Sequence, residues 1–170
     1  TDIDREQIDK AMAAIEANMV RQVNRGKVGE SDMTAALKRI SIGQDYSLFG
    51  DCDMVNEAAV ENEDVKRAIL KELCPALRAD AIIATNTSSI SVTRLGASTD
   101  RPERFMGMHF MNPVPVMELV ELIRGIATEE DTYRVIRELA VKLDKTPAMA
   151  EDFPAFIVNR ILLPMINEAV

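Results

Sequence analysis

A chain of 170 residues with 47% hydrophobic side chains can supply one domain with its own core. Its formal net charge of −8 excludes a general nucleic-acid binder, which needs a basic face; a phosphate-bearing small ligand needs only a local cluster of arginines. Two cysteines, at 52 and 74, give neither a disulfide framework nor a metal-ligand cluster, so no metal is expected and a reducing, cytoplasmic setting is the default. No apolar run approaches a membrane span and no charged-then-apolar leader is visible, so neither membrane insertion nor secretion is expected.

Asp4 with Gln7 marks a helix start, and Ile8, Met12, Ile15, Met19 and Val23 recur at helical spacing up to Gly26. A helix opening this early has no strand before it to pack against, so the chain is expected to be incomplete. Arg21, Arg25 and Lys27, on or just past the helix end, read as a solvated basic face. Residues 31–38 predict a short capped helix, and 39–42 a brief strand ending at Gly43. Residues 53–60, DMVNEAAV, read as a buried strand interrupted by Asn56, whose amide would then need partners.

Glu61 and Asn62 cap a helix running through Val65, Ile69, Leu73 and Leu77; spacing alone makes Glu61 and Lys66 an exposed i,i+5 pair. The next buried strand, 81–85, delivers Asn86, Thr87, Ser88 and Ser89 to a sheet edge. Such short polar runs are usually N-caps, here for a helix over 91–95, although Ser91 is free to do the capping.

The stretch 105–123, FMGMHFMNPVPVMELVELI, reads as two short strands around a turn stiffened by Pro113 and Pro115. If they fold back symmetrically about Pro115, His109 lies opposite Glu121. His109 is the only histidine in the chain. A carboxylate beside it would hold one tautomer, favour the protonated ring and aim the other nitrogen at a substrate. A lone histidine between Met108 and Phe110 is also read as a satisfied buried side chain, and spacing alone favours that plainer reading.

Thr128 with Asp131 starts a helix whose Tyr133, Val135, Ile136, Leu139 and Leu143 are expected to face inward, followed by a last short strand at 146–150. After the break at 151–154, a helix from Ala155 to Val170 is apolar on nearly every side. It needs cover that the chain does not supply, and reads as the first element of a second, helical domain.

The run GMHFMNPVPVMELVEL, preceded by ATNTSSISVTRL and followed by DFPAFIVNRIL, resembles the 3-hydroxyacyl-CoA dehydrogenases, especially the short-chain 3-hydroxybutyryl-CoA dehydrogenases. The likeness runs from Asp2 to Val170. It implies an α/β fold with an incomplete, Rossmann-like doubly wound sheet, because a strand, a GxGxxG loop, a helix and a second strand would lie upstream. Residues 1–152 would be a partial NAD-binding domain, and 153–170 the start of an all-α domain for substrate and dimerisation.

The resemblance also distributes roles. His109 would take the 3-hydroxyl proton, Glu121 would orient and stabilise the imidazolium, and Ser88 and Asn159 would hold the substrate oxygen. Asp2 falls where an acid binds the ribose hydroxyls of NAD and disfavours NADP, although by itself it is an ordinary helix N-terminal acid. Glu61, Lys66, Asn86 and Asn112 match positions near the cofactor. Arg25 matches a basic contact to coenzyme A, while Asn18 stands where a serine can occur. The implied protein is a homodimeric, NAD-dependent oxidoreductase acting on an acyl-CoA, and the 170-residue chain alone is expected to be inactive. Two alternatives stay open: a non-catalytic dinucleotide-binding relative of the lens-crystallin sort, and one part of a multifunctional fatty-acid oxidation protein.

Overall fold

A computed structural model describes residues 1–2 and 4–170, which form two compact units, 1–48 and 49–170. The first contains α1 (Arg5–Asn24) and α2 (Glu30–Lys38). Asp4 caps α1 by accepting the Glu6 amide at 2.9 Å. α2 starts from Gly29 with no side-chain cap, so Ser31 lies inside the first turn and is not the cap. The strand expected at 39–42 does not form. A strand needs a ladder, and this unit has no other strand among its described residues to provide one.

The second unit is a Rossmann-like α/β fold. Its five strands are β1 (Met54–Glu57), β2 (Ile82–Thr85), β3 (Phe105–Phe110), β4 (Leu119–Arg124) and β5 (Thr146–Glu151), side by side in that order. β1, β2 and β3 run parallel, β4 runs antiparallel to β3, and β5 runs parallel to β4. Four α-helices accompany them: α3 (Glu63–Leu73), α4 (Val92–Gly96), α5 (Glu130–Lys142) and α6 (Val158–Glu168).

Strand side chains alternate between faces, and this alternation decides where the chemistry lies. Ile82, Ala84, Met106, Met108, Val120 and Leu122 share one apolar cluster with Ile136 and Ala140 of α5. Their strand neighbours Thr85, His109 and Glu121 therefore point to the other face, where α4 packs on β3 and β4. A Cβ on Gly107 would stand 2.9 Å from Ile123 and 3.0 Å from Val92, so glycine there is what lets α4 come this close.

Several expectations need correcting. Asn56 is exposed and Glu57 is the buried polar residue of β1, because Val55 faces inward and the pleat carries Glu57 with it. The β3–β4 turn runs on through Met117, whose amide, with that of Val116, is bonded to the Pro113 carbonyl, so the second strand begins at Leu119 rather than Val116. On α3 the buried line is Lys66, Leu70 and Leu73, while Val65 is exposed. On α5 it is Thr132, Ile136 and Ala140, a strict i,i+4,i+8 row that leaves Val135 and Leu143 exposed. Glu129, not Thr128, is the cap residue of α5; the Thr128 hydroxyl instead donates to the Phe105 carbonyl at 2.7 Å.

α6 begins at Val158, three residues later than expected, because Ala155 and Phe156 have φ of 66° and 51°, which no helix tolerates. None of its residues is buried, and Ile161, Leu163 and Met165 are more than half exposed. Among the described residues no helix is long and apolar enough to cross a membrane.

Left-handed φ suits glycine and penalises a β-carbon. Ala155→Gly is therefore expected to stabilise the fold by about 0.5–1 kcal/mol and Ala155→Val to destabilise it, as read from urea midpoints at unchanged slope.

Candidate active site

Glu57 lies beside Thr85 and Thr85 beside Gly107, with β3 running on to Phe110, so the carboxyl ends of β1, β2 and β3 bring the following loops to one edge. β3 turns through 112–117 into β4, and His109 becomes the register partner of Glu121, as folding about Pro115 requires. His109 is 6% exposed and Glu121 is 0% exposed. The His109 Nδ1 lies 2.7 Å from Glu121 Oε2. An ionised carboxylate only accepts, so the neutral ring carries its proton on Nδ1 and leaves Nε2 as the acceptor. Nε2 is 3.1 Å from the Ser88 hydroxyl, which can donate to it.

The second oxygen of Glu121 serves another element. Oε1 accepts the amides of Ile157 and Val158, each at 2.9 Å, at the start of α6. Burial pushes the Glu121 carboxyl up, but the bonds from His109 and from the Val158 and Ile157 amides outweigh it and leave it below its ordinary value. The same segment sends Asn159 Nδ2 to the Ser88 carbonyl at 3.2 Å and places the Phe156 ring 6.0 Å from the imidazole centre at 63°.

Ser88 is held from below by Glu61. One oxygen, Oε1, accepts the Thr87 hydroxyl at 2.6 Å, the Ser88 amide at 2.8 Å, and the Ser89 amide and hydroxyl at 2.9 and 3.0 Å. Partial burial raises the Glu61 carboxyl, yet these bonds and the nearby Lys66 charge lower it overall. Ser91, meanwhile, caps α4, so the Thr87–Ser89 loop is not consumed by capping.

Reading Glu61 and Lys66 as an exposed pair fails for Lys66, which is 1% exposed. Its ammonium donates to Glu57 Oε1 and Oε2 at 2.8 and 3.0 Å and to the Ala59 carbonyl at 3.1 Å, with Glu61 3.8 Å away. Glu57 also accepts the Thr85 hydroxyl at 2.6 Å across β1–β2. Asn86 ties the ends of β2 and β3 together, its Oδ1 accepting the Phe110 amide at 2.8 Å. Asn112 is exposed at the head of the β3–β4 turn.

Asp2 and Arg25 belong to the 1–48 unit. Asp2 is exposed and accepts the Asp4 amide at 3.0 Å, and Arg25 is the exposed C-cap residue of α1.

The structure thus brings Ser88, His109, Glu121 and Asn159 into one hydrogen-bonded group, with Glu61 and Lys66 beneath its loop and Asn86 at its rim. Sequence reasoning missed Glu57, Asp152 and Phe156. For Glu57 the signal was present, since period-2 alternation from Val55 puts it inward; for the other two, reached only through long-range folding, there was none. Among the described residues no cluster of His, Cys, Asp or Glu could hold a metal ion.

Residues 1–153 match the family described as "3-hydroxyacyl-CoA dehydrogenase, NAD binding domain". A protein of Bradyrhizobium diazoefficiens named 3-hydroxybutyryl-CoA dehydrogenase is 57% identical over 99% of this chain and 58% of its own length. A fatty acid oxidation complex subunit alpha from Psychrobacter cryohalolentis is 44% identical over 96% of this chain and 23% of its own length. The crystal structure of a (S)-3-hydroxybutyryl-CoA dehydrogenase from Ralstonia eutropha superposes with a TM-score of 0.96 at 46% identity, covering 99% of this chain and 60% of that one. The chain therefore spans little more than half the length of the 3-hydroxybutyryl-CoA dehydrogenases it matches.

The lowered Glu121 carboxyl makes a signed prediction. Its contribution to stability is complete above the ordinary value of 4.5 and is lost as pH falls through the lower folded-state value. Glu121→Gln is expected to be less stable at neutral pH and to lose less stability on acidification, measured by urea unfolding of both proteins across the acid range. Parallel acid limbs would show that Glu121 titrates as it does in the unfolded chain.

Proposed function

The chain belongs to the 3-hydroxyacyl-CoA dehydrogenase family, and on that premise we propose that the protein carrying it interconverts a 3-hydroxyacyl-CoA, 3-hydroxybutyryl-CoA first of all, and the 3-oxoacyl-CoA, with NAD. The observation that supports this most is the His109 ring held at both nitrogens, by Glu121 at 2.7 Å and by Ser88 at 3.1 Å. A base must have its free nitrogen near a hydroxyl, and Nε2 already faces one.

In the oxidative direction His109 Nε2 takes the 3-hydroxyl proton, displacing the Ser88 hydroxyl to a supporting bond on the same oxygen. Glu121, already ionised, stabilises the imidazolium that results. Asn159, braced on the Ser88 backbone, stands beside the same oxygen. NAD, when bound, supplies the hydride acceptor for C3. The residues at the carboxyl ends of β1–β3 fit such a cofactor: the edge is polar, Glu61 is 38% exposed on its side chain, and Asn86 and Asn112 lie on the rim. Glu61, Asn86 and Asn112 would hold it, and Lys66, buried behind Glu61, would keep that carboxylate charged and in place. Within the 1–48 unit, the family resemblance would make Asp2 a ribose-binding acid and Arg25 a basic contact for coenzyme A.

We place the boundary between a nucleotide-binding domain, 1–152, and a helical substrate and dimerisation domain, from 153, at the break before α6, whose exposed Ile161, Leu163 and Met165 support further helical packing and a homodimer. The two free cysteines, Cys52 and Cys74, are consistent with a cytoplasmic setting.

The test is NADH formation from 3-hydroxybutyryl-CoA by the full protein. His109→Ala is expected to lower kcat by on the order of 10²–10⁴-fold and Glu121→Gln by a smaller factor, with KM changing little. Undiminished turnover in His109→Ala would remove the proposed base.

A further inference from the structure

The turn before α6 holds a residue that the reaction leaves without a part. β5 ends with Glu151 beside Arg124, yet the next helix starts at Val158, bonded to Glu121, whose register partner on β5 is Ala148. The chain must therefore double back within a few residues. Its near side is anchored by Asp152, whose carboxylate accepts the Ser91 hydroxyl at 2.6 Å and the Val92 and Thr93 amides at 3.0 and 2.8 Å. Its far side is anchored by the two amide bonds to Glu121. The reversal itself is made by Ala155 and Phe156, both with left-handed φ.

Between these anchors the Phe156 side chain is not a loop ornament: it is 3% exposed and stands edge-on to His109. The imidazole is tethered through Cβ and bonded at its two nitrogens to Glu121 and Ser88, but hydrogen bonds tolerate bending, so small χ1 and χ2 excursions of the ring stay open. An aromatic ring packed against the imidazole limits those excursions and keeps water off that side.

We propose that Phe156 is a positioning residue for His109: the left-handed turn seats its ring against the imidazole, while the next two amides seat Glu121, so one turn fixes both the base and the acid that orients it. The consequence for turnover rests on His109 acting as the base; the packing does not.

The experiment uses the full protein with Phe156→Leu, which keeps apolar bulk and loses the ring; Phe156→Met, a flexible filler of similar size, serves if the first fails to fold. Histidine-selective labelling then reports the NMR order parameter of the His109 ring, which is expected to fall in the variant. In steady-state assays kcat is expected to fall on the order of tenfold while KM stays within about twofold, because orientation of the base matters to the transition state and not to substrate capture. A ring as rigid as in the wild type, or a wild-type kcat beside a loosened ring, would overturn the proposal. A wild-type protein that turns over no 3-hydroxybutyryl-CoA with NAD would sink the reaction and leave the order parameter to decide the positioning.

Discussion

Glu121 is a carboxylate with no solvent exposure, and a buried charge survives only where its oxygens are filled with donors. Here three are supplied, and they come from two places: the His109 ring on one oxygen, the amides of Ile157 and Val158 on the other. Neither set alone would satisfy the group. The acid thus ties β3, β4 and the start of α6 into a single unit, and the imidazole inherits its orientation from that arrangement. Sheet register supplies the first contact, since Glu121 and His109 are direct neighbours across β3–β4. Nothing in the sheet supplies the other two.

The same device recurs at the edge of the site. Glu61 gathers four donors from the Thr87–Ser89 loop onto one oxygen, and Asp152 gathers three from the start of α4. Beneath Glu61, Lys66 and Glu57 form a buried ion pair whose remaining valences go to the Ala59 carbonyl and the Thr85 hydroxyl. Loops carrying polar side chains at the end of a parallel sheet are ordinarily the mobile part of such a fold. Here carboxylates bonded to several donors at once make Ser88 part of the rigid frame, which is what a hydroxyl meant to stay within 3.1 Å of an imidazole requires.

Much of this was legible in the chain itself. Three motifs in fixed order carried the family, and the prolines around residue 115 carried the register that sets His109 against Glu121. Helical and strand periods found the elements of the 49–170 unit, although not their bounds. The errors share a cause. Asn56 drew attention because an amide looks anomalous in an apolar run, whereas the pleat buries its neighbour Glu57 and leaves Asn56 in water. Val135 and Leu143 were counted inward because they are apolar, although the buried row is Thr132, Ile136 and Ala140. Residue type was trusted over position in each case. What could not be read at all were contacts closed over long separations, such as Asp152 with Ser91 or Ile157 with Glu121, where no local pattern announces the partner.

The left-handed turn at Ala155 and Phe156 shows which energies govern this region. Two non-glycine residues in that conformation cost about 1–2 kcal/mol each. Straightening the turn would carry Ile157 and Val158 away from Glu121 and forfeit two hydrogen bonds to a charged group, each contributing about 1.5–3 kcal/mol. It would also leave a buried carboxylate short of donors, a loss larger than either bond because the charge cannot reach water. The strain is therefore the smaller quantity, and the chain keeps it. A residue that merely linked β5 to α6 would be under no such constraint; the turn is held in an unfavourable backbone state because the buried acid, and through it the imidazole, depends on the two amides that follow.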